Sequence, residues 1–380
     1  MTERRAQAND LLLRFADRTG LLSPRVPQRY LWTDAFAVCT LEGLGRITGE
    51  SRFGELALQL VDQVHHVLGR HRPDDPRSGW ISGLGDADGE RHPTAGGFRI
   101  GKPLPERQPG EPLDERLEWD RDGQYFHYLT KWMHALDQVT RWTGQPLFTR
   151  WARELARVSH RAFTYMPRPG GPKRMYWKMS VDLSRPLVPS MGQHDPVDGF
   201  VTCLQLEATG SGIEPRVTDA REDFAAMIDR RALATTDPLG IGGLLADACR
   251  LAQLAPHDAG VDALIDALLA SALAGLPRYL AQFDLRAPAR HRLAFRELGL
   301  AIGLAGVESA AWHGVSPTVR TRLDRLAPFV RLRADIETFW LEPSHRRADT
   351  WLEHEDINDV MLATSLEPDG FLILGPAPGV

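Results

Sequence analysis

The stretch that decides the fold is Leu31–Thr48, LWTDAFAVCTLEGLGRIT, an apolar helical segment. An amphipathic segment, FGELALQLVDQVHHVLGRH, follows it at 53–71. The same order recurs with QYFHYLTKWMHALDQVTRWT at 124–143 and LFTRWARELARVSHRAF at 147–163. Each pair joins a buried-looking helix to an amphipathic one through Thr-Gly and a short turn. A helical hairpin that repeats along one chain predicts an all-α repeat fold.

This alternation continues along the chain through about twelve predicted helices. Amphipathic helices are predicted at roughly 4–19, 52–71, 147–164, 216–231, 260–282 and 317–337. Smaller, more apolar helices are predicted near 31–48, 122–143, 195–208, 238–254, 291–306 and 355–366. The Gly and Ala content of this second set favours close packing on both helix faces, although Gly lowers intrinsic helicity. Six such pairs predict an (α/α)6 toroid with the apolar helices on the inside.

Local signals support these helix boundaries. Three helix starts place a capping residue type before a proline at the first helical position: Asp195-Pro196, Asp237-Pro238 and Ser316-Pro317. Gly49 and Gly144 are typical of helix ends.

Two long stretches, at about 72–119 and 166–193, interrupt the alternation. Both are rich in Gly, Pro and charge, yet both carry aromatic residues that need packing partners. Long loops in a compact domain are often functional. Both run from an outer helix to the next inner helix, so we expect them to gather on one face. The chain is thus predicted to be a single domain, 1–380, with two loop insertions.

The composition excludes some classes of function. The chain has 380 residues, 43% of them hydrophobic, and a net charge of −5, which gives no electrostatic reason to expect nucleic acid. No run of 18 apolar residues and no signal peptide are apparent, so no membrane is expected. Cys39, Cys203 and Cys249 lack metal-ligand spacing and indicate a reducing compartment, by default the cytoplasm. The oligomeric state is not indicated by the sequence.

The openings of the inner helices, LWTDAF, WDRDGQYFHY and QHDPVDGF, combine aromatic residues with acids. In this alternation and in these openings the chain resembles, over nearly its whole length, the six-hairpin (α/α)6-barrel superfamily. That superfamily includes glycoside hydrolases, unsaturated glucuronyl hydrolases and N-acylglucosamine 2-epimerase-like enzymes. The resemblance implies an active site in a cleft lined by the inner-helix N-termini and the loops before them.

Aromatic rings beside carboxylates suit a carbohydrate, because sugar faces stack on rings and two carboxyl groups can perform acid–base chemistry. The candidate catalytic residues are Asp122, Asp195, Asp198, Asp356, His194 and His127. The candidate substrate-binding residues are Trp32, Asp34, Trp119, Asp120, Tyr125, Tyr176, Trp177, Lys178, Arg296, Glu353, His354 and Asn358.

Each candidate also has a structural interpretation. An Asp at a helix start, such as Asp195 or Asp34, is often a cap or a partner of the helix dipole. His127 and Tyr125 can be satisfied core or cleft-wall groups, and tryptophans at openings can be core residues. The polar run 354–358 can be a solvated first turn.

The leading hypothesis is an enzyme of glycoside hydrolase type that acts on a sugar or oligosaccharide. Asp122 or Asp195 would protonate the leaving oxygen, and Asp198 or Asp356 would activate water. Hydroxyls or a uronate carboxylate would bind to His194, His127 and Arg296. The alternatives are an epimerase, isomerase or lyase, with His127 or His194 as base and Tyr125 or Tyr176 as partner, and a non-catalytic binding or scaffold protein.

No cofactor is expected, because the short Gly runs lack the strand that precedes a dinucleotide or phosphate loop. A metal site could be assembled from His127, His194, Asp195 and His354 only if the fold brings them together. We therefore assign no metal.

Overall fold

A computed structural model describes residues 2–210, 212–254 and 258–376. The helices in chain order are α1 Glu3–Arg18, α2 Leu31–Thr48, α3 Ser51–Leu68, α4 Asp86–Arg91, α5 Glu115–Glu118, α6 Phe126–Thr143, α7 Pro146–Phe163, α8 Asp195–Thr209, α9 Thr218–Met227, α10 Pro238–Leu254, α11 Ala259–Gln282, α12 Ala294–Val307, α13 Pro317–Leu326, α14 Arg331–Leu341, α15 Asp349–Leu352, α16 Glu355–Leu366 and α17 Asp369–Leu372. The strands are β1 Gln124–Tyr125, β2 Thr164–Tyr165, β3 Arg174–Met175, β4 Lys178–Met179 and β5 Pro186–Val188.

The all-α class is confirmed, and most predicted helix boundaries lie within a few residues of the observed ones. The helix predicted over 317–337 is instead two, α13 and α14, with a short 3-10 turn around Pro328 between them. Proline lacks the amide hydrogen that an α-helix interior uses, so the break falls there. The helix predicted from 122 begins only at Phe126, because Gln124–Tyr125 pairs with β4.

The chain divides into two compact units. The first unit comprises Met1–Ala16, Gly43–Glu50 and Asp229–Leu374. The second unit comprises Asp17–Glu42, Ser51–Ile228 and Gly375–Val380. The organisation of 1–380 as one domain stays a prediction.

In the second unit, α6 packs against α7 and α8, and α8 packs against α9. The ring of Phe126 lies 5.6 Å from that of Phe163 and 5.2 Å from that of Phe224, which joins these helices through one aromatic core. At the helix end, Gly144 has the left-handed φ of 72° that the sequence predicted for a C-terminal cap.

The two long stretches lie in the second unit, and side-chain contacts join one to the other. Strands β1, β4 and β5 form an antiparallel sheet in that order, and β2 pairs with β3. Arg77 and Glu106, both in the first stretch, form a 2.8 Å ion pair. Arg77 also lies 2.9 Å from Asp182 of the second stretch. Glu106 also accepts a hydrogen bond from the amide of Val181 at 2.7 Å. The Arg77–Asp182 ion pair and the hydrogen bond from the amide of Val181 to Glu106 thus join the two loops.

In the first unit, α10 packs very closely on α12. A Cβ at Gly242 would lie 2.1 Å from the carbonyl oxygen of Gly299, and a Cβ at Gly303 would lie 2.5 Å from that of Gly242. Only glycine fits at these positions, which explains why the predicted inner helices contain it despite its low helix propensity.

Helix α11 of the first unit is long and apolar. Of the described helices it alone is long and apolar enough to cross a membrane, judged by length and composition. Buried core helices share that composition, and Leu264, Leu268 and Leu276 of α11 are buried within their own unit.

Candidate active site

The start of α2 is held by Asp34. The carboxylate accepts a hydrogen bond from the amide of Tyr30 at 2.9 Å and lies 3.4 Å from the guanidinium of Arg29. Asp34 is 1% exposed. Its assignment as a substrate-binding residue is therefore wrong, and its alternative role as a cap is the one observed.

Asp122 is fully buried, and both of its oxygens are already used. Arg99 donates to Oδ2 at 2.6 Å, while the amides of Gly101 and Gly123 donate to Oδ1 at 3.1 Å. A general acid needs an oxygen that can be directed at the substrate. The assignment of Asp122 as a catalytic acid is therefore wrong, and Asp122 anchors the first long loop beside the start of α6.

Lys178 is also a structural residue. Its ammonium group donates to the carbonyl oxygens of Glu118 and Arg121, each at 2.8 Å, and lies 2.9 Å from Oε1 of Glu118. Lys178 is fully buried, so its ammonium group is not open to a substrate. Burial lowers the pKa of Lys178, and the Glu118 carboxylate opposes that shift. Its predicted role in substrate binding is wrong.

The start of α6 carries a cluster of aromatic residues. The hydroxyl oxygens of Tyr30 and Tyr128 are 2.6 Å apart, and burial raises the pKa of Tyr30. The ring of Tyr128 lies 5.3 Å from Tyr125 and 4.7 Å from His127. Tyr125 in turn lies 5.6 Å from His127. These contacts place Tyr30, Tyr125, His127 and Tyr128 in one cluster.

Asp195 lies at the start of α8, but it does not cap that helix. The cap position is His194, and Oδ2 of Asp195 is buried without a hydrogen-bond partner among the described residues. Burial, reinforced by the charge of Asp198, raises the pKa of Asp195 to about 7. The backbone of Gly192 and the charge of Lys131 oppose that rise.

Asp198 lies one turn further along α8, and its Oδ1 is 2.8 Å from the ammonium of Lys131. The two side chains are 11% and 14% exposed. The first turn of α8 therefore holds two carboxyl groups in different environments, one beside a cation and one without a partner for one of its oxygens.

His127 faces Asp195 from α6, with 4.0 Å between Nδ1 and Oδ1. Desolvation lowers the pKa of His127 to about 4, against the opposing charge of Asp198. The side chain keeps 28% of its surface exposed. At neutral pH His127 is therefore an uncharged imidazole at the edge of the cluster.

A pocket of about 240 Å³ opens beside this cluster. It is lined by Leu113, Glu115, Glu118, Trp119, Tyr125, Trp177, Val188 and Ser190. Trp119 is 52% exposed, and its ring lies 5.2 Å from that of Trp177. Trp177 lies a further 5.2 Å from Tyr125.

The remaining predicted residues of the second unit are more peripheral to these contacts. Trp32 is 6% exposed, packs on Phe36 and lies 6.4 Å from the ring of Tyr128, and its role in substrate binding stays a prediction. Tyr176 stacks on Tyr165 at 4.2 Å, within the β2–β3 pair. His194 contacts the amide of Gln193 at 3.3 Å, and Asp120 is exposed.

Five predicted residues belong to the first unit. Asn358 is fully buried and donates to the carbonyl oxygen of Trp351 at 3.0 Å, so its assignment to a sugar hydroxyl is wrong. Arg296 forms a 2.8 Å ion pair with Asp237. The others lie at the start of α16, with Glu353 exposed, Asp356 half-buried and the ring of His354 5.6 Å from that of Phe295: their site roles stay predictions.

Three residues of the cluster were not predicted from the sequence: Tyr128, Lys131 and Lys102. Lys131 could have been found from its spacing, because it lies four residues after His127 on one helix face. Lysine usage was a second signal. Only four of the 45 basic residues are lysine, and Lys102, Lys131 and Lys178 all lie in or beside this cluster. Lys102 lies over the ring of Tyr30, 5.4 Å from its centroid.

A metal site requires several ligand side chains that lie close together. Within 2–210, 212–254 and 258–376, no group of three or more His, Cys, Asp or Glu side chains has an arrangement that could hold a metal ion. The set suggested by the sequence, with His127, His194, Asp195 and His354, is not such a group.

No protein-family model and no curated protein matches the sequence. Solved structures match the fold. An inactive variant of an α-1,6-mannanase of glycoside hydrolase family 76 from Salegentibacter sp. HEL1_6, in complex with α-1,6-mannotriose, is 10% identical; the match covers 96% of this chain and 99% of that chain, with a TM-score of 0.56. An α-mannanase of the same family from Bacteroides thetaiotaomicron is 9% identical over 97% of this chain and 96% of that chain, with a TM-score of 0.55.

A cellobiose 2-epimerase from Spirochaeta thermophila is 11% identical over 97% of this chain and 99% of that chain, with a TM-score of 0.49. The two mannanases match with TM-scores of 0.56 and 0.55. Their likeness over nearly the whole chain confirms the predicted fold class. The chain has the all-α fold of these two solved structures.

Proposed function

We propose that the protein is a glycoside hydrolase in which Asp195 is the general acid. The observation that carries this proposal is the buried carboxyl group of Asp195, with Oδ2 unpartnered and its pKa raised to about 7. An acid of that pKa keeps its proton near neutral pH and can still release it to a leaving oxygen.

Asp198 is the second carboxyl group of the proposal. Glycoside hydrolysis uses one protonated and one ionised carboxyl group near the scissile bond. The ammonium of Lys131, 2.8 Å from Asp198, supports the ionised form there, and the charge of Asp198 in turn raises the pKa of Asp195. Two carboxyl groups in contrasting environments are the usual sign of an acid paired with a base or nucleophile.

Gly192 lies against the carboxyl group of Asp195. A Cβ at Gly192 would lie 2.6 Å from Oδ2 of Asp195, so the backbone of this residue covers the carboxyl group. We include in the proposal that the segment 190–194 moves when a substrate binds, since the acid must contact the leaving oxygen.

The mannanase that binds mannotriose is inactive with two adjacent aspartates replaced by asparagine. The only adjacent aspartates in this chain are Asp74 and Asp75, which are ion-paired with Arg72 at 2.7 Å and Arg77 at 2.9 Å. We therefore place the reaction on Asp195 and Asp198, three residues apart on α8, and take α-1,6-mannosides as the first substrates to test.

The test is hydrolysis of α-1,6-mannotriose and of a panel of aryl glycosides, followed by the release of reducing ends or phenol. Asp195→Asn should abolish turnover and retain a thermal shift with the same sugar. Asp219→Asn, which changes an exposed acid of the same unit, is the matched control. Full turnover in the Asp195→Asn protein would overturn the assignment.

A second candidate is sugar epimerisation, favoured by the neutral imidazole of His127 beside Tyr128. A base must be unprotonated, and His127 is so above about pH 4. That low pKa also makes His127 a weak base, so hydrolysis is the better-supported reaction. Epimerisation would incorporate deuterium from solvent into an unbroken sugar, which mass spectrometry detects; hydrolysis would not.

A further inference from the structure

We infer that the pocket beside Trp119 is a second sugar subsite, built by the two long loops, which binds a saccharide ring other than the one next to Asp195. This inference rests on the proposed function, from which it takes the class of ligand. It adds that the substrate is an oligosaccharide rather than a single sugar or a short glycoside.

The pocket is made by both loops. Leu113, Glu115 and Trp119 come from the first, and Val188 and Ser190 come from the second. Its volume of about 240 Å³ is below the 300–1,000 Å³ range of sites for drug-sized ligands, which suits one small ring. The ion pair between Arg77 and Asp182, and the hydrogen bond from the amide of Val181 to Glu106, join these two loops.

The lining provides both kinds of contact that a sugar ring uses. Trp119 exposes 52% of its surface, although burial of an indole is strongly favourable. The 78° angle between Trp119 and Trp177 is an edge-to-face contact, which leaves indole surface open for stacking. Glu115 and Ser190 are exposed at the same pocket, without hydrogen-bond partners in the described part of the chain. They can bind sugar hydroxyls.

The position of Trp119 separates this pocket from the proposed reaction centre. Going from Trp119 toward His127, the rings of Trp177 and Tyr125 intervene, at centroid separations of 5.2, 5.2 and 5.6 Å. A ring stacked on Trp119 is therefore a different ring from one whose glycosidic oxygen contacts Asp195. Recognition of this second ring would favour longer substrates.

The experiment measures binding to the Asp195→Asn protein, so that no ligand is consumed. Methyl α-mannoside, α-1,6-mannobiose, α-1,6-mannotriose and α-1,6-mannotetraose are titrated by calorimetry and by tryptophan fluorescence. We expect affinity to rise by roughly three- to tenfold at the length that reaches Trp119, the value of one stacking contact. Trp119→Ala should remove that gain without changing the affinity of shorter ligands, and Trp119→Phe should keep most of it.

Leu117→Ala is the control, because Leu117 is exposed on the same short helix and does not line the pocket. The inference is overturned if none of the mannosides binds, if length has no effect, or if Trp119→Ala weakens all lengths equally. Binding of tetramethylammonium in place of sugars would overturn it too, since aromatic rings beside acids also suit such cations.

The two proposals fail separately. Length-dependent binding through Trp119 without any product from the wild-type protein would contradict the hydrolase and leave the subsite standing. Cleavage of aryl glycosides together with an unaltered Trp119→Ala titration would contradict the subsite alone.

Discussion

Nδ1 of His127 lies 4.0 Å from Oδ1 of Asp195, and burial reverses the usual order of their pKa values. Desolvation brings the pKa of the imidazole down to about 4 and that of the carboxyl group up to about 7. Between these pH values both groups are uncharged, so their contact is not an ion pair. A carboxyl group that keeps its proton near neutral pH is what a general acid requires.

The first prediction concerns the pH profile. Because Asp195 must hold its proton to protonate a leaving group, kcat/KM should fall as the pH rises through about 7. Asp195→Asn should lower kcat by about 10²-fold or more at pH 6. The measurement is a profile from pH 4 to 9 on the best aryl glycoside. A rate that stays constant up to pH 9 would contradict the role of Asp195.

The second prediction is that two neighbours move the pKa of Asp195 in opposite directions. The charge of Asp198 raises this pKa and that of Lys131 lowers it. Asp198→Asn should therefore lower the pKa of Asp195, and Lys131→Met should raise it. Carboxyl carbon NMR of aspartate-labelled protein measures both changes without depending on activity. Shifts of the same sign in both variants would show that the cluster rearranges.

The third prediction follows from linkage. The pKa of Asp195 is about 7 in the folded protein and near the ordinary value of about 3.9 in the unfolded chain. The unfolded chain therefore releases this proton first, and stability falls as the pH rises from about 4 to about 7. Asparagine does not titrate, so Asp195→Asn should gain stability over that window.

The gain should be on the order of 4 kcal/mol at pH 8 and close to zero at pH 3. Urea unfolding at pH 3, 5, 7 and 8 measures it, with the exposed residue change Asp219→Asn as control. A constant difference between Asp195→Asn and wild type at all four pH values would exclude a raised pKa.

Much of the fold could be predicted from the sequence because helical periodicity and terminal signals are local. Gly144 ends α6 as expected, and Ser316 caps α13 by accepting from the amide of Val319. The break at Pro328 was missed because the apolar pattern continues across it. Close packing of α10 on α12 was predicted from composition, but the contact between Gly242 and Gly299 depends on how two distant segments align.

The site was predicted less well, because residue type does not reveal whether an oxygen is already used. Asp122 and Asp195 are equivalent in sequence, each an acid beside an inner-helix start. Asp122 accepts a hydrogen bond from Arg99, which is 23 residues away in sequence, whereas Asp195 has an oxygen without a hydrogen-bond partner. Ionic partners across such distances have no local pattern. The ion pair between Lys131 and Asp198 is a second example, because its two residues come from different helices.

The fourth prediction tests the structural role of Asp122. Asp122→Asn leaves the buried guanidinium of Arg99 without its anion, which should cost about 3–5 kcal/mol of unfolding free energy. Asp74→Asn is the matched control, because Asp74 also pairs with an arginine at 2.7 Å but is 56% exposed. Its cost should be below about 1 kcal/mol. Equal costs in urea unfolding would contradict the anchoring role of Asp122.

The fifth prediction uses two neighbouring glycines of α10. A Cβ at Gly242 would lie 2.1 Å from the carbonyl oxygen of Gly299, whereas a Cβ at Gly243 would meet nothing within 4 Å. Gly243→Ala should therefore stabilise the protein by about 0.5–1 kcal/mol, because alanine is the better helix former. Gly242→Ala has the same propensity gain but must separate α10 from α12, and it should cost about 1–3 kcal/mol or more. Urea midpoints that move in the same direction for both variants would show that this helix contact does not determine packing in the first unit.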